Sequence, residues 1–290
     1  MRFTFLGTGT SSGIPAIGCD CATCASPDPR DQRLRCAASV QFVDPQGRQR
    51  GVLLDAGPDL RQQVLRFGVR RCDAILFTHN HVDHVFGLDE TRRFNAVQRG
   101  PIEVYADDHT MDSLERVYEH IFSREQNAND SFVATLMPRR ITRQEIAAGT
   151  PLNLFGMRFT PIPLLHGRLP VLGYRVEPGP ELAAAQPPPQ ADPEARVPES
   201  PFPLAYCTDV SAIPAESWGR LAGLRTLVLD ALRHRHHPTH LTLDQAIAIA
   251  RRVGAERTCF IHMSHDLAHE ATSRELPEGM RLAYDGLVLG

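Results

Sequence analysis

Ala74-Ile-Leu-Phe-Thr-His-Asn-His-Val-Asp-His84 is a short apolar run of β type that breaks off into His79, His81, Asp83 and His84, four strong metal donors within six residues. In an extended loop, residues two apart point the same way. His79 and His81 therefore converge on one cation, while Asp83 and His84 turn toward a second position. That geometry suits two metals rather than one. Neutral imidazole and carboxylate are borderline-to-hard ligands that accept Zn, Mn or Fe, and the donors do not choose among them. A merely solvated loop gives no reason for this spacing at the mouth of a buried strand.

Around this stretch lies a chain of 290 residues, 42% hydrophobic, long enough to bury a full core as one large α/β domain. No segment approaches 18 uninterrupted apolar residues, and the first seven residues lack the apolar centre of a secretory signal. A cytoplasmic protein with no membrane partner is expected. The net charge of −3 gives no electrostatic reason to expect nucleic acid as a partner. The Arg pairs at 70–71, 92–93, 139–140 and 251–252 read as solvated faces.

The pattern Thr-His-x-His-x-Asp-His at 78–84 resembles the signature of the metallo-β-lactamase fold, a superfamily of mostly hydrolytic enzymes with one or two metals. The resemblance covers most of the chain. It implies a four-layer αββα sandwich, taken here as a single domain over 1–290. Members carry three further ligand positions, each after a later strand, and a candidate stands at each. His166 ends Phe159-Thr-Pro-Ile-Pro-Leu-Leu-His, Asp209 ends Leu204-Ala-Tyr-Cys-Thr-Asp, and His262 ends Thr258-Cys-Phe-Ile-His. By the resemblance, His79, His81 and His166 hold one metal, Asp83, His84 and His262 the other, and Asp209 bridges. Taken singly, each residue after a strand reads as a capped turn; their order makes them a set.

Upstream, residues 1–6 alternate as a strand and stop at Gly7-Thr-Gly-Thr-Ser-Ser-Gly13, which lacks the Gly-Lys-Ser/Thr of a phosphate loop and reads as a tight turn beneath the metal site. Cys19, Cys21 and Cys24 follow as Cys-x-Cys-x2-Cys. Three cysteines in six residues of a cytoplasmic-looking chain read as thiolate ligands of a structural zinc, whereas Cys36, Cys72, Cys207 and Cys259 read as small buried thiols. Within the superfamily this array is similar to the branch containing the phosphoribosyl cyclic phosphate phosphodiesterases. There the fourth zinc ligand is a histidine three residues after the last catalytic-metal histidine, a spacing matched by His262-Met-Ser-His265.

Strands are expected at 38–43 and 51–54 as a hairpin, then at 102–105, 152–165, 172–176, 204–207, 226–230, 259–261 and 281–284. Helices are expected at 59–67, 85–97, 109–122 and 242–253. The last is marked by a Thr242/Gln245 capping box and a stop at Gly254. Between 177 and 203, nine prolines in 27 residues predict an insertion that builds no core. After Asp230 comes Leu232-Arg-His-Arg-His-His-Pro-Thr-His-Leu241, in which His234 and His236 read as solvated. The related phosphodiesterases keep a substrate-contacting histidine near this point, and His240 and His237 compete for it. The resemblance thus implies a metal-dependent phosphodiesterase acting on a small-molecule, small or cyclic, phosphate diester. Two divalent metal ions would acidify a shared water, Asp209 would orient the resulting hydroxide, and a histidine would protonate the leaving alkoxide. A glyoxalase-type thioesterase, a tRNA-processing nuclease and a non-catalytic metal sensor are the other readings, and a homodimer is compatible with all of them.

Overall fold

A computed structural model describes residues 1–123, 132–184 and 200–290. The first sheet takes β1 (Arg2–Gly7), β2 (Ala37–Val43), β3 (Gln49–Leu54), β4 (Ala74–Leu76), β5 (Ile102–Asp107) and β6 (Leu136–Ile141). The second takes β7 (Leu152–Leu154), β8 (Met157–His166), β9 (Leu169–Pro178), β10 (Leu204–Cys207), β11 (Thr226–Asp230), β12 (Arg257–Ile261) and β13 (Met280–Leu282), and β14 (Val288–Leu289) returns to the first. The orders are β14-β1-β2-β3-β4-β5-β6 and β13-β12-β11-β10-β9-β8-β7.

Side-chain parity sets the layers, because alternate residues of a strand face opposite sides of its sheet. Val52, Leu54, Ala74 and Leu76 join Tyr174, Leu204, Tyr206 and Val228 in a core between the sheets. Their neighbours Leu53 and Ile75 face outward onto α1 (Leu60–Arg66) and the other helices of that side. On the second sheet, Leu227, Leu229 and Phe260 meet Leu243, Ala246 and Ala250 of α8 (Leu243–Val253). The αββα order is thus read directly from which residues are buried together, and strands covered on both faces need the near-continuous apolar runs seen here. The chain reverses from antiparallel to parallel pairing at β3/β4 in one sheet and at β10/β11 in the other. The carboxyl ends of β3, β4, β10, β11 and β12 therefore gather at one edge of the sandwich, where open α/β sheets bind ligands.

Several expected elements are divided. The helix expected at 85–97 is α2 (Val82–Val85), a 3-10 turn at Leu88–Thr91 and α3 (Arg92–Gln98). The break has a steric cause: a Cβ on Gly87 would lie 2.0 Å from the Gly57 carbonyl oxygen, so the backbone at 87 packs against the turn after β3. The helix expected at 109–122 is α4 (Asp108–Val117) and α5 (Glu119–Phe122), interrupted at Tyr118, whose hydroxyl donates to the Val85 carbonyl at 3.0 Å. The single strand expected at 152–165 is the hairpin β7/β8, turned by Phe155 and Gly156 at φ 55° and 94°. Of the proline-rich segment, residues 185–199 lie outside those described. Its flanks are not coreless: β9 runs to Pro178, α7 (Pro180–Ala184) buries Leu182, and Phe202 is buried as well. Unpredicted elements are β6, β14, α6 (Arg143–Ala148) and α9 (His269–Glu275). The loop after β1 does lie beneath the site, where Thr10 N–H donates to Met263 O and Met263 N–H to Thr8 O, each at 3.1 Å.

A buried carboxylate secures that loop. Thr8 Oγ1 donates to Asp285 Oδ1 at 2.8 Å and Leu34 N–H to Asp285 Oδ2 at 2.7 Å, yet burial pushes the Asp285 pKa up to about 7. Because the folded pKa lies above the unfolded value of about 3.9, the native state holds this proton longer. The stabilisation is complete below the unfolded value and is lost as pH rises through about 7. Asp285→Asn is therefore expected to gain stability relative to wild type as pH is raised from about 4 to 7, on the order of a few kcal/mol. Denaturant midpoints across that range test this; a pH-independent difference would contradict it.

Candidate metal centre

His79 follows β4 after Phe77 and Thr78, and the backbone then enters the helical turn α2 at Val82, so the donors leave the strand in two conformations. His79 and His81 stand on the extended part, their rings 4.6 Å apart, whereas Asp83 and His84 stand on the helical turn. This corrects the picture of one extended loop, but its outcome is unchanged. His79, His81, His166 and Asp209 form one group of donors, and Asp83, His84, Asp209 and His262 form a second, the atoms of each group lying within 4.8 Å of one another. Asp209 belongs to both. Its Oδ2 lies 3.1 Å from His84 Nε2, and its Oδ1 lies 3.2 Å from His262 Nε2 and 3.9 Å from both His79 Nε2 and His166 Nε2.

The outer partners fix where each ring points. Asp55, at the end of β3, lies 2.8 Å from His84 Nδ1 and accepts from Thr78 N–H at 2.8 Å. His166 Nδ1 donates to the Thr239 carbonyl at 2.7 Å. Asp230, at the end of β11, accepts Leu241 N–H at 2.9 Å and lies 3.2 Å from His240 Nδ1 and 3.4 Å from His262 Nδ1. With Nδ1 of His84 and His166 tied outward, their Nε2 edges face the centre, as metal-binding histidines require, while His262 Nδ1 approaches Asp230 without a hydrogen bond. Asp55, Asp209 and His262 all carry positive φ, at 64°, 55° and 58°, a backbone region costly to side chains with a Cβ and concentrated at functional sites.

Burial and charge divide the centre electrically. Burial holds the pKa values of His79, His81 and His166 below the ordinary histidine value, leaving neutral lone pairs ready to ligate. At His84 burial pulls the same way but is outweighed by Asp209, Asp55 and Asp83; at His262 it is outweighed by Asp209, Asp83 and Asp230. Burial would raise Asp209, but the surrounding imidazoles, His262 and His84 foremost, hold it well below the usual carboxylate range.

The residues fit a pair of cations. The Nε2 atoms of His79, His84 and His262 are buried with no hydrogen-bond partner, a large cost unless a Lewis acid takes their lone pairs. His81 is the exposed member and marks the open side of the centre.

Away from this cluster, the Sγ atoms of Cys19, Cys21 and Cys24 lie 3.2, 3.6 and 3.5 Å from His265 Nδ1. A tetrahedral zinc with bonds of about 2.3 Å to sulfur and 2.0 Å to nitrogen would set that S···N edge near ~3.5 Å. The four donors fit it. Cys36, Cys72, Cys207 and Cys259 are free and buried, as expected.

His240 is 8% exposed, stacked on His262 at 4.6 Å and edge-on to His166 at 4.5 Å. His237 stands one ring further out, 5.1 Å from His240, its Nδ1 accepting Thr239 N–H at 3.3 Å. His234 and His236 are exposed. Sequence reasoning missed Asp55 and Asp230 as ring-orienting groups. The available signal was a lone carboxylate closing each of the apolar runs Val52-Leu-Leu and Leu227-Val-Leu.

A family model described as the β-lactamase superfamily domain matches residues 50–263. The solved structure of a new diphosphatase from the PhnP family is 40% identical, with 100% of this chain and 97% of that one covered at a TM-score of 0.80. Zn(2+)-bound PqqB from Methylobacterium extorquens covers both chains in full at 20% identity and a TM-score of 0.71, a likeness of fold. An octanoyltransferase of Porphyromonas gingivalis is 31% identical over 99% of this chain but 51% of its own length, so the chain spans about half of that relative. On the family match and the arrangement of its donors, the chain belongs to the β-lactamase superfamily and has the fold of its metal-dependent hydrolases.

Proposed function

We propose that the protein is a phosphodiesterase that hydrolyses a small or cyclic phosphate diester. The observation that supports this reading is His240, an imidazole whose Nδ1 lies 3.2 Å from Asp230 and whose ring packs against His166 and His262, one from each donor group; its role would be to protonate a leaving alkoxide. Two divalent cations, when bound, would supply a nucleophile at neutral pH by acidifying water and would offset charge on the phosphoryl oxygens. His79, His81 and His166 would hold one, Asp83, His84 and His262 the other, and Asp209 both. Zn, Mn or Fe all suit these donors.

The chain's own work is orientation and proton transfer. Asp55, Thr239 and Asp230 keep Nε2 edges inward. In the imidazolium form of His240 both ring nitrogens carry protons, one kept at Asp230 and one available to the departing oxygen. Asp209, shared by both donor groups, would orient the attacking water by accepting a hydrogen bond from it. The 40% identity with a diphosphatase supports an anhydride as a second substrate type, since its phosphate leaving group needs no added proton.

Three outcomes are expected. Asp209→Ala should lose turnover by roughly 100-fold or more while keeping its far-ultraviolet spectrum; full activity in that variant would refute the shared-ligand role. Cys21→Ser should lose one zinc per chain and melt at lower temperature, because a closed site of this kind adds directly to folding free energy; unchanged zinc content and stability would show that the cysteines are not ligands. His240→Ala should slow a diester with a poor alkoxide leaving group by about 100-fold but one with a nitrophenolate leaving group by less than about threefold. Equal losses on both, or a leaving-group effect seen only in His237→Ala, would remove His240 as the acid.

A further inference from the structure

A cleft of about 530 Å³ lies on the outer side of the first sheet, between α1, the turn that follows it and α3, and none of the metal donors lines it. Leu60, Val69 and Phe94 form its floor and belong to the core beneath these helices. Val64 is half-buried beside them, whereas Leu65 and Val97 are 64% and 67% exposed. An apolar surface that runs from the core out to solvent in this way is costly to leave bare, and such patches mark binding sites. The charges around it are unbalanced. Arg61, Arg70 and Arg93 line the cleft and are exposed, against one carboxylate, Glu90. The neighbouring Arg92 pairs with Asp89 at 3.4 Å, but among the described residues Arg61, Arg70 and Arg93 have no hydrogen-bond or ion-pair partner, Glu90 included. This is a local positive excess in a chain whose net charge is −3.

Apolar walls beneath unpaired guanidinium groups select one ligand chemistry. We propose that the cleft is a second binding site, separate from the metal centre, for a small amphiphilic anion: an aliphatic chain that ends in a single acid group. The chain displaces water from Leu60, Val64, Leu65, Val69 and Val97, and the acid accepts hydrogen bonds from the guanidinium groups at the edge, the donors best matched to a carboxylate. The volume is within the range that holds one small molecule. A floor set into the core suits a single inserted chain better than the flat face of a lipid bilayer.

The test is calorimetric titration of the metal-loaded full chain with hexanoate, octanoate and octanol. Octanoate is expected to bind about tenfold tighter than hexanoate, since each of its two further methylenes contributes up to about fourfold when buried. It should also bind about tenfold tighter than octanol, which has the same chain without the charge. Leu65→Asp, at an exposed position that tolerates a polar side chain, should weaken octanoate by about tenfold. The paired change Arg61→Gln/Arg93→Gln should bring octanoate and octanol to within about threefold of each other. Carboxylates also ligate metals, so these variants locate the site: octanoate affinity unchanged in both would place it elsewhere and overturn the proposal. Equal binding of hexanoate and octanoate, or of octanoate and octanol, in wild type would overturn it as well. So would a protein that fails to bind octanoate but pellets with phosphatidylglycerol vesicles, or forms a dimer that Leu65→Asp disrupts, because the face would then belong to a membrane or to a second copy of the chain.

Discussion

Three rings of the centre, His84, His240 and His262, lean on two buried carboxylates. Asp55 and Asp230 are both fully buried, at 0% exposure, where an unpaired carboxylate would be prohibitively costly. Asp55 is offset by Thr78 and His84, Asp230 by Leu241, His240 and His262. The same contacts that make these charges tolerable aim the imidazoles. Removing either carboxylate would therefore free a ring as well as a charge, and the position of each Nε2 follows from the ends of β3 and β11 rather than from the ligand loops alone.

A second restraint reaches the same strand end from the other side. Arg33 is 1% exposed and donates to the Ser264 carbonyl at 3.1 Å and to Asp31 at 3.0 Å, while Asp31 accepts His269 N–H at 2.7 Å. Together with the Thr8 and Thr10 bonds to Met263, this pins the segment 262–265 to the N-terminal loop. The cysteine cluster closes on His265 in that segment, three residues after His262. The cysteine cluster and the main donor cluster thus share one short piece of backbone.

Much of this was legible in the sequence, and the illegible part has physical reasons. His79, His81, Asp83 and His84 announce themselves because four donors in six residues have no ordinary structural use. His166, Asp209 and His262 are weak one at a time and become a set through a resemblance; in the structure they lie among the two groups of donors. Asp55 and Asp230 were silent because a single Asp after a strand looks like any turn residue; only the three-dimensional approach of His84 and His262 gives them a role. The broken helix at 85–98 was equally hidden, since its cause is a backbone contact between Gly87 and Gly57, thirty residues away in the chain. Capping chemistry, being local, was read correctly: Thr242 and Gln245 form the reciprocal box at the start of α8.

The donors come from both sheets, with His79 to His84 on the first and His166, Asp209 and His262 on the second. The first group spans residues 79 to 209 and the second residues 83 to 262. A growing chain therefore can gather the first group once β10 is in place but cannot complete the second until β12 has joined its sheet. Asp209, common to both groups, thus stands where the two halves of the sandwich meet, beside the backbone hydrogen bonds that join Thr8 and Thr10 to Met263 and Leu172 to Thr78.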